Sequence, residues 1–193
     1  MMGGQAKKRV IALRPVYTDV GDVTEVYYEG GGQEIRNRPV KSEIQVMARS
    51  FAVDLKAQKK TIGEMVARKA LVPMILGDQV FVPFKMRRPK AASDYCYGCV
   101  DVLQIDEIVE DGKGCRVRLK DGRELPLMTG RDVALNRFAD GMKVVRQKES
   151  PRDRRRDDHD ILYRMVIETV KLAEMIRDIH RQVTKGGDFS PLA

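Results

Sequence analysis

Residues 115–127, CRVRLKDGRELPL, constrain the fold more than any other stretch of the chain. Cys115, Val117 and Leu119 alternate with Arg116, Arg118 and Lys120, so an extended strand here carries one apolar and one cationic face. Asp121-Gly122 then turns the chain and residues 123–127 return. Asp-Gly is a strong hairpin marker because both central residues of a type I′ turn need positive φ. An antiparallel ribbon with one apolar side must be covered by other elements.

Those elements can be read on either side of it. Two strand candidates lie in the first thirty residues, around Val10 and over 23–29, the latter β-branched and aromatic. From Ser42 the period becomes helical, with Ile44, Met47, Ala48, Phe51 and Leu55 on one face. Residues 56–60 read as a polar break, and Thr61 with Glu64 as a capping box that starts a second helix at Ile62. Residues 74–76, the Gly77-Asp78 turn and residues 80–84 predict another hairpin, with Pro83 at an edge or strand end. One strand is expected over 99–108. Thr129 and Asp132 would cap a short helix that runs through Phe138 and closes the body near Gly141.

Beyond this body, Arg152, Arg154, Arg155 and Arg156 interleave with Asp153, Asp157, Asp158 and Asp160, the pattern of a solvated connector. A final helix over 160–183 repeats Leu162, Thr169, Ile176 and Val183 every seven residues, with Met165, Leu172 and Ile179 as a second series. Leu162, Met165, Leu172, Ile176 and Ile179 are the oligomerisation candidates. The breadth of the apolar stripe leaves open whether this helix docks on its own body or on another subunit. The expected architecture is α+β: antiparallel β-hairpins packed with short helices, plus a long C-terminal amphipathic helix. The divisions are a body over 1–145, a charged linker over 146–159, and the helix with a short tail over 160–193.

A length of 193 residues and a hydrophobic content of 42% suit a chain that buries a core. The first fifteen residues lack the apolar centre of a signal peptide, and no apolar run approaches the roughly 18 residues of a membrane span. The expectation is a cytoplasmic protein with no membrane partner. Three cysteines, Cys96, Cys99 and Cys115, fit a reducing compartment. Cys96 and Cys99 have the spacing of half a zinc site, but no second pair completes it, so ordinary strand or turn thiols are expected. Nucleophile elbows, phosphate-binding glycine loops and dinucleotide fingerprints are missing, and the two histidines, His159 and His180, lie in the linker and the last helix. No catalytic residue, metal or cofactor is expected.

The net charge of +8 favours an anionic partner. Residues 80–90, VFVPFKMRRPK, pass from an apolar strand into Lys85, Arg87, Arg88 and Lys90 with no acid among them. Repulsion within such a loop suggests that something anionic offsets it. Arg116, Arg118, Lys120 and Arg123 form the second group, and both are expected to share one positive surface that holds the phosphates of duplex DNA. The absence of Trp and the scarcity of aromatic residues argue against stacking on single-stranded bases. Arg87 and Arg88 are the candidates for a narrow A·T-rich minor groove, and the second group for the phosphate backbone. The alternative reading is a non-enzymatic adaptor that uses the last helix and a basic surface.

The order of these segments resembles the competence transcription factor family ComK over residues 42–141. The residues that carry the resemblance are Ser50-Phe51 at the end of a helix, residues 69–75 (KALVPMI), residues 80–83 (VFVP), Pro89, the strand from Val100, and the hairpin 116–127 (RVRLKDGRELPL). The resemblance implies a bacterial transcription activator that binds A·T-rich boxes through the minor groove as an oligomer. Such a protein works at the nucleoid and is open to control by a regulatory protein.

Overall fold

The computed structural model describes residues 8–19, 21–91, 94–112 and 114–149, together with Ile176. The chain divides into two compact units, Met1–Gln147 and Lys148–Ala193. The first is α+β and has antiparallel sheets throughout. Its larger sheet has six strands in the order β3-β2-β1-β6-β5-β4, namely β1 (Val10–Thr18), β2 (Gly21–Tyr28), β3 (Gln33–Arg36), β4 (Met74–Leu76), β5 (Gln79–Lys85) and β6 (Tyr97–Asp101). The smaller sheet is the meander β7 (Ile105–Asp111), β8 (Gly114–Leu119) and β9 (Glu124–Leu127).

Both faces of the six-stranded sheet are covered, which is why β5 reads as the nearly continuous apolar run VFVPF. Alternate residues point into two cores. Leu13, Val26, Phe81 and Cys99 pack under α1 (Val40–Ser50), against Ile44, Met47 and Ala48. Ala12, Tyr27, Val82 and Val100 face the opposite way, toward Ile62 and Val66, the inner side of the small sheet, and α3 (Arg131–Lys148). Pro83 pairs with Cys99 on β6, whereas β4 ends its pairing at Phe81, so the prolyl nitrogen lacks a donor where β5 has no neighbour on that side.

Four expectations are corrected. The second helix does not start at Ile62. α2 spans Leu55–Met65, because the Asp54 carboxylate accepts from the backbone N–H groups of Lys56 and Ala57 at 2.8 and 3.1 Å and caps it. The supposed polar break 56–60 is therefore its first turns. The strand expected over 99–108 is two strands in two sheets, hinged at a single 3₁₀ turn (Val102–Gln104) that Asp101 caps through the Leu103 N–H. The Asp-Gly turn is not type I′, since Gly122 alone among its residues has positive φ, +86°. Gly122 N–H donates to Leu119 O and Leu119 N–H to Arg123 O, a three-residue connection with glycine at the left-handed position.

The last correction concerns Gly141, which does not end a short helix but lies within the 18-residue α3. A Cβ there would stand 2.4 Å from Val82 Cγ2 and 3.0 Å from Val102 Cγ2, so glycine lets the helix approach the sheet. The expected linker 146–159 and helix 160–183 lie almost wholly outside the described residues. Of the oligomerisation candidates, Leu162, Met165, Leu172 and Ile179 lie outside them, while Ile176 is helical and 59% exposed. Among the described residues no helix is long and apolar enough to cross a membrane.

Candidate nucleic-acid interface

The loop between β5 and β6 is built from its own polar groups. The Asp94 carboxylate accepts from the backbone N–H groups of Lys90 and Ala91 at 2.8 and 2.9 Å and from the Tyr17 hydroxyl. These bonds, led by that of Tyr17, hold the Asp94 carboxyl below its ordinary range. Arg88 and Lys90 are exposed on the resulting turn, and Lys90 Nζ lies 4.4 Å from the centre of the Tyr17 ring. Lys85, at the end of β5, is half-buried.

Arg87 takes a different path. Its side chain is only 8% exposed; Nη1 is 2.7 Å from Asp22 Oδ1, and the guanidinium lies 3.9 Å above the Tyr17 ring. Burial works against its charge, but Asp22 more than offsets this, and the proton is held more tightly than usual. The expectation that Arg87 enters a groove is therefore corrected: it ties the loop to the β1–β2 turn.

The cationic face of β8 is also committed internally. Arg116 pairs with Asp111 at 2.8 Å and Glu124 at 3.2 Å, and Arg118 with Glu107 at 3.0 Å and Glu124 at 3.2 Å. The two guanidinium groups, Arg118 first, hold the Glu124 carboxyl below its ordinary range. Arg123 pairs with Asp121 at 2.5 Å and donates to Tyr28 O and Gly32 O at 2.6 and 3.0 Å, closing the small sheet against the β2–β3 turn. Only Lys120 of this group has no side-chain partner among the described residues. The phosphate-holding role expected of Arg116, Arg118 and Arg123 is corrected, because acids on β7 and β9 and at the turn neutralise them.

Among the described residues the groups touch only at Lys85, whose carbonyl accepts from Met128 N–H just past β9; Arg87 and Arg123 lie far apart. Arg87 meets Tyr17 and Asp22, which pair at one end of the β1–β2 hairpin, whereas Arg123 meets Tyr28, which pairs with Val10 at the other. Seven residue steps of β1, from Val10 to Tyr17, separate these ends, roughly 23 Å. The single positive surface expected from sequence is broken up, because Arg87, Arg116, Arg118 and Arg123 are each paired with a carboxylate of the chain.

A third cationic group was missed. Lys56, Lys59 and Lys60 share one face of α2 at helical spacing, and with Lys69 they surround a depression of about 510 Å³ between α2 and the segment that follows. All four are exposed and make no ion pair among the described residues. Arg68 at its edge is taken by Asp140, and Glu64 is the one acid that lines it. Like charges at these spacings repel. Asp54 before Leu55 was the signal in the sequence: reading it as a cap puts the lysines on a helix. Lys56 and Lys59 also border a groove that reaches Tyr95, next to Asp94 of the loop.

The cysteines serve the interior. Cys96, Cys99 and Cys115 are free and buried; burial pushes the Cys99 and Cys115 thiols up, and Cys115 Sγ donates to Thr129 O at 3.2 Å. Among the described residues no group of three or more His, Cys, Asp or Glu side chains is placed to hold a metal ion. His159 and His180 lie outside the described residues. No protein-family model, curated protein or solved structure matches the chain.

Proposed function

We propose that the chain is a non-enzymatic regulator that binds A·T-rich duplex DNA in the bacterial cytoplasm as a homo-oligomer, as the ComK resemblance over 42–141 implies. The observation that carries this reading is the group Lys56, Lys59, Lys60 and Lys69, four exposed cations that make no ion pair among the described residues and share their depression with a single acid, Glu64. An ammonium group on a flexible stem suits phosphate as a point charge. Four such contacts would place the duplex without reading its sequence. Arg88, exposed on a loop that Asp94 and Tyr17 brace, is the residue offered to the minor groove, with Lys90 and Lys85 at its rim.

Fluorescence anisotropy with a duplex that contains an A-tract and with a G·C-rich duplex of equal length tests this. The wild-type chain should prefer the A-tract, and Arg88→Ala should lower that preference by about 1–2 kcal/mol while leaving G·C-rich binding nearly unchanged. Equal losses on both duplexes would remove Arg88 from sequence reading. No binding to either at low salt would favour the adaptor.

A further inference from the structure

The geometry points to a second binding site, for a small anionic amphiphile with an unbranched alkyl chain, in the groove between α1, α2 and the β4–β5 hairpin. The groove has a volume of about 400 Å³, within the range of roughly 300–1,000 Å³ of small-molecule sites. Ile44, Leu55, Leu71, Val72 and Met74 line it, and its polar groups are unusually one-sided. No carboxylate borders it. The Gln58 amide is held by the backbone, donating to Ile75 O at 2.9 Å and accepting from Ile75 N–H at 2.8 Å. Recognition falls to Lys41, Lys56 and Lys59 at the mouth, exposed and without ion-pair partners among the described residues. An apolar channel with a cationic mouth complements a carboxylate on a hydrocarbon tail.

The backbone gives an independent reason. Leu71 on the groove wall has φ of +54°, a conformation that a bulky L-residue avoids and that collects at ligand clamps. Arg137 holds it from behind by donating to Leu71 O at 3.5 Å. Pro73 follows and leaves this segment little freedom to relax. The site shares Lys56 and Lys59 with the proposed duplex surface, but it is argued from the groove and Lys41 and holds whether or not the chain binds DNA.

Decanoate titrated into the full chain, read by calorimetry and by the methyl resonances of Leu55 and Leu71, tests the site. Saturable one-to-one binding on the order of 10–100 μM is expected, with decyltrimethylammonium failing to bind. Lys41→Gln with Lys59→Gln should weaken decanoate by about tenfold without lowering the melting temperature. Leu55→Trp, which fills the groove, should abolish it in a chain that still melts cooperatively. The proposal is overturned by lack of saturation, by equal uptake of the cation, or by decanoate affinity that the lysine changes leave intact. It is also overturned if the chain doubles its mass through this groove and Leu55→Trp restores the monomer, since the occupant is then a second copy.

Discussion

Arg87 and Arg88 are neighbours of the same type, and their surroundings give them different tasks. Arg87 lies against Tyr17 and Asp22 with 8% of its side chain exposed, while Arg88 is open to solvent. Removing a buried, paired and stacked guanidinium costs stability; removing an exposed one does not. Urea denaturation should show Arg87→Ala destabilised by about 2 kcal/mol and Arg88→Ala by less than about 0.5 kcal/mol. Similar losses for both would mean that the loop is not braced by Arg87. Sequence could not separate them, because burial depends on the β1–β2 turn, 65 residues earlier at Asp22.

The surface carboxylates show the same commitment. Glu124 beside Arg118 and Arg116, and Asp121 beside Arg123, sit below their ordinary values in the folded chain. A depressed folded value means that the stabilisation is present above the unfolded carboxylate range, about pH 4–4.5, and is lost as pH falls through the folded values. The melting temperature should therefore fall on acidification below about pH 4.5. Glu124→Gln should fall less steeply than wild type, and parallel curves would contradict the pairing.

At the scale of elements, the contact of α3 with the sheet turns on Gly141. Alanine is the better helix former by about 1 kcal/mol, yet its Cβ would press on Val82 and Val102 across the interface. Gly141→Ala should destabilise the chain by about 1–3 kcal/mol in urea titration, as overpacking does. A stabilised variant would show that helix and sheet are farther apart. Elements with a local signature were legible in the sequence: β2, α1 as far as Ser50, and the β4–β5 and β8–β9 hairpins, each marked by period or turn residues; Phe51 and Leu55, read onto the face of α1, are its C-cap and the first residue of α2. The start of α2 was hidden because Asp54 caps a helix whose first turns, KAQKK, look like a polar break. The break between β6 and β7 was hidden because Val102 and Ile105 continue the apolar pattern while a 3₁₀ turn sends them to different sheets. Gly141 reads as a stop and serves as a contact.

At the scale of the whole molecule, the described cations include two kinds that composition cannot tell apart. Those on β8 pair with acids on neighbouring strands; the lysines on α2 make no ion pair among the described residues and have only Glu64 beside them. The alternation that marked β8 was correct as a strand signal and misleading as a charge signal. Cross-strand partners such as Glu107 and Glu124 appear only once the register is known. Arg116→Ala with Arg118→Ala should accordingly leave duplex affinity within about twofold of wild type and the urea midpoint nearly unchanged. A tenfold loss of affinity would return the phosphate surface to the small sheet.

The salt dependence of duplex binding tests the central claim most directly, with the wild-type chain compared to a variant carrying Lys56→Gln, Lys59→Gln, Lys60→Gln and Lys69→Gln. Each phosphate contact contributes about −0.9 to the slope of log affinity against log salt. The α2 surface therefore predicts a slope that the four changes make shallower by about 3–4. An unchanged slope in a variant that folds as the wild type does would contradict it.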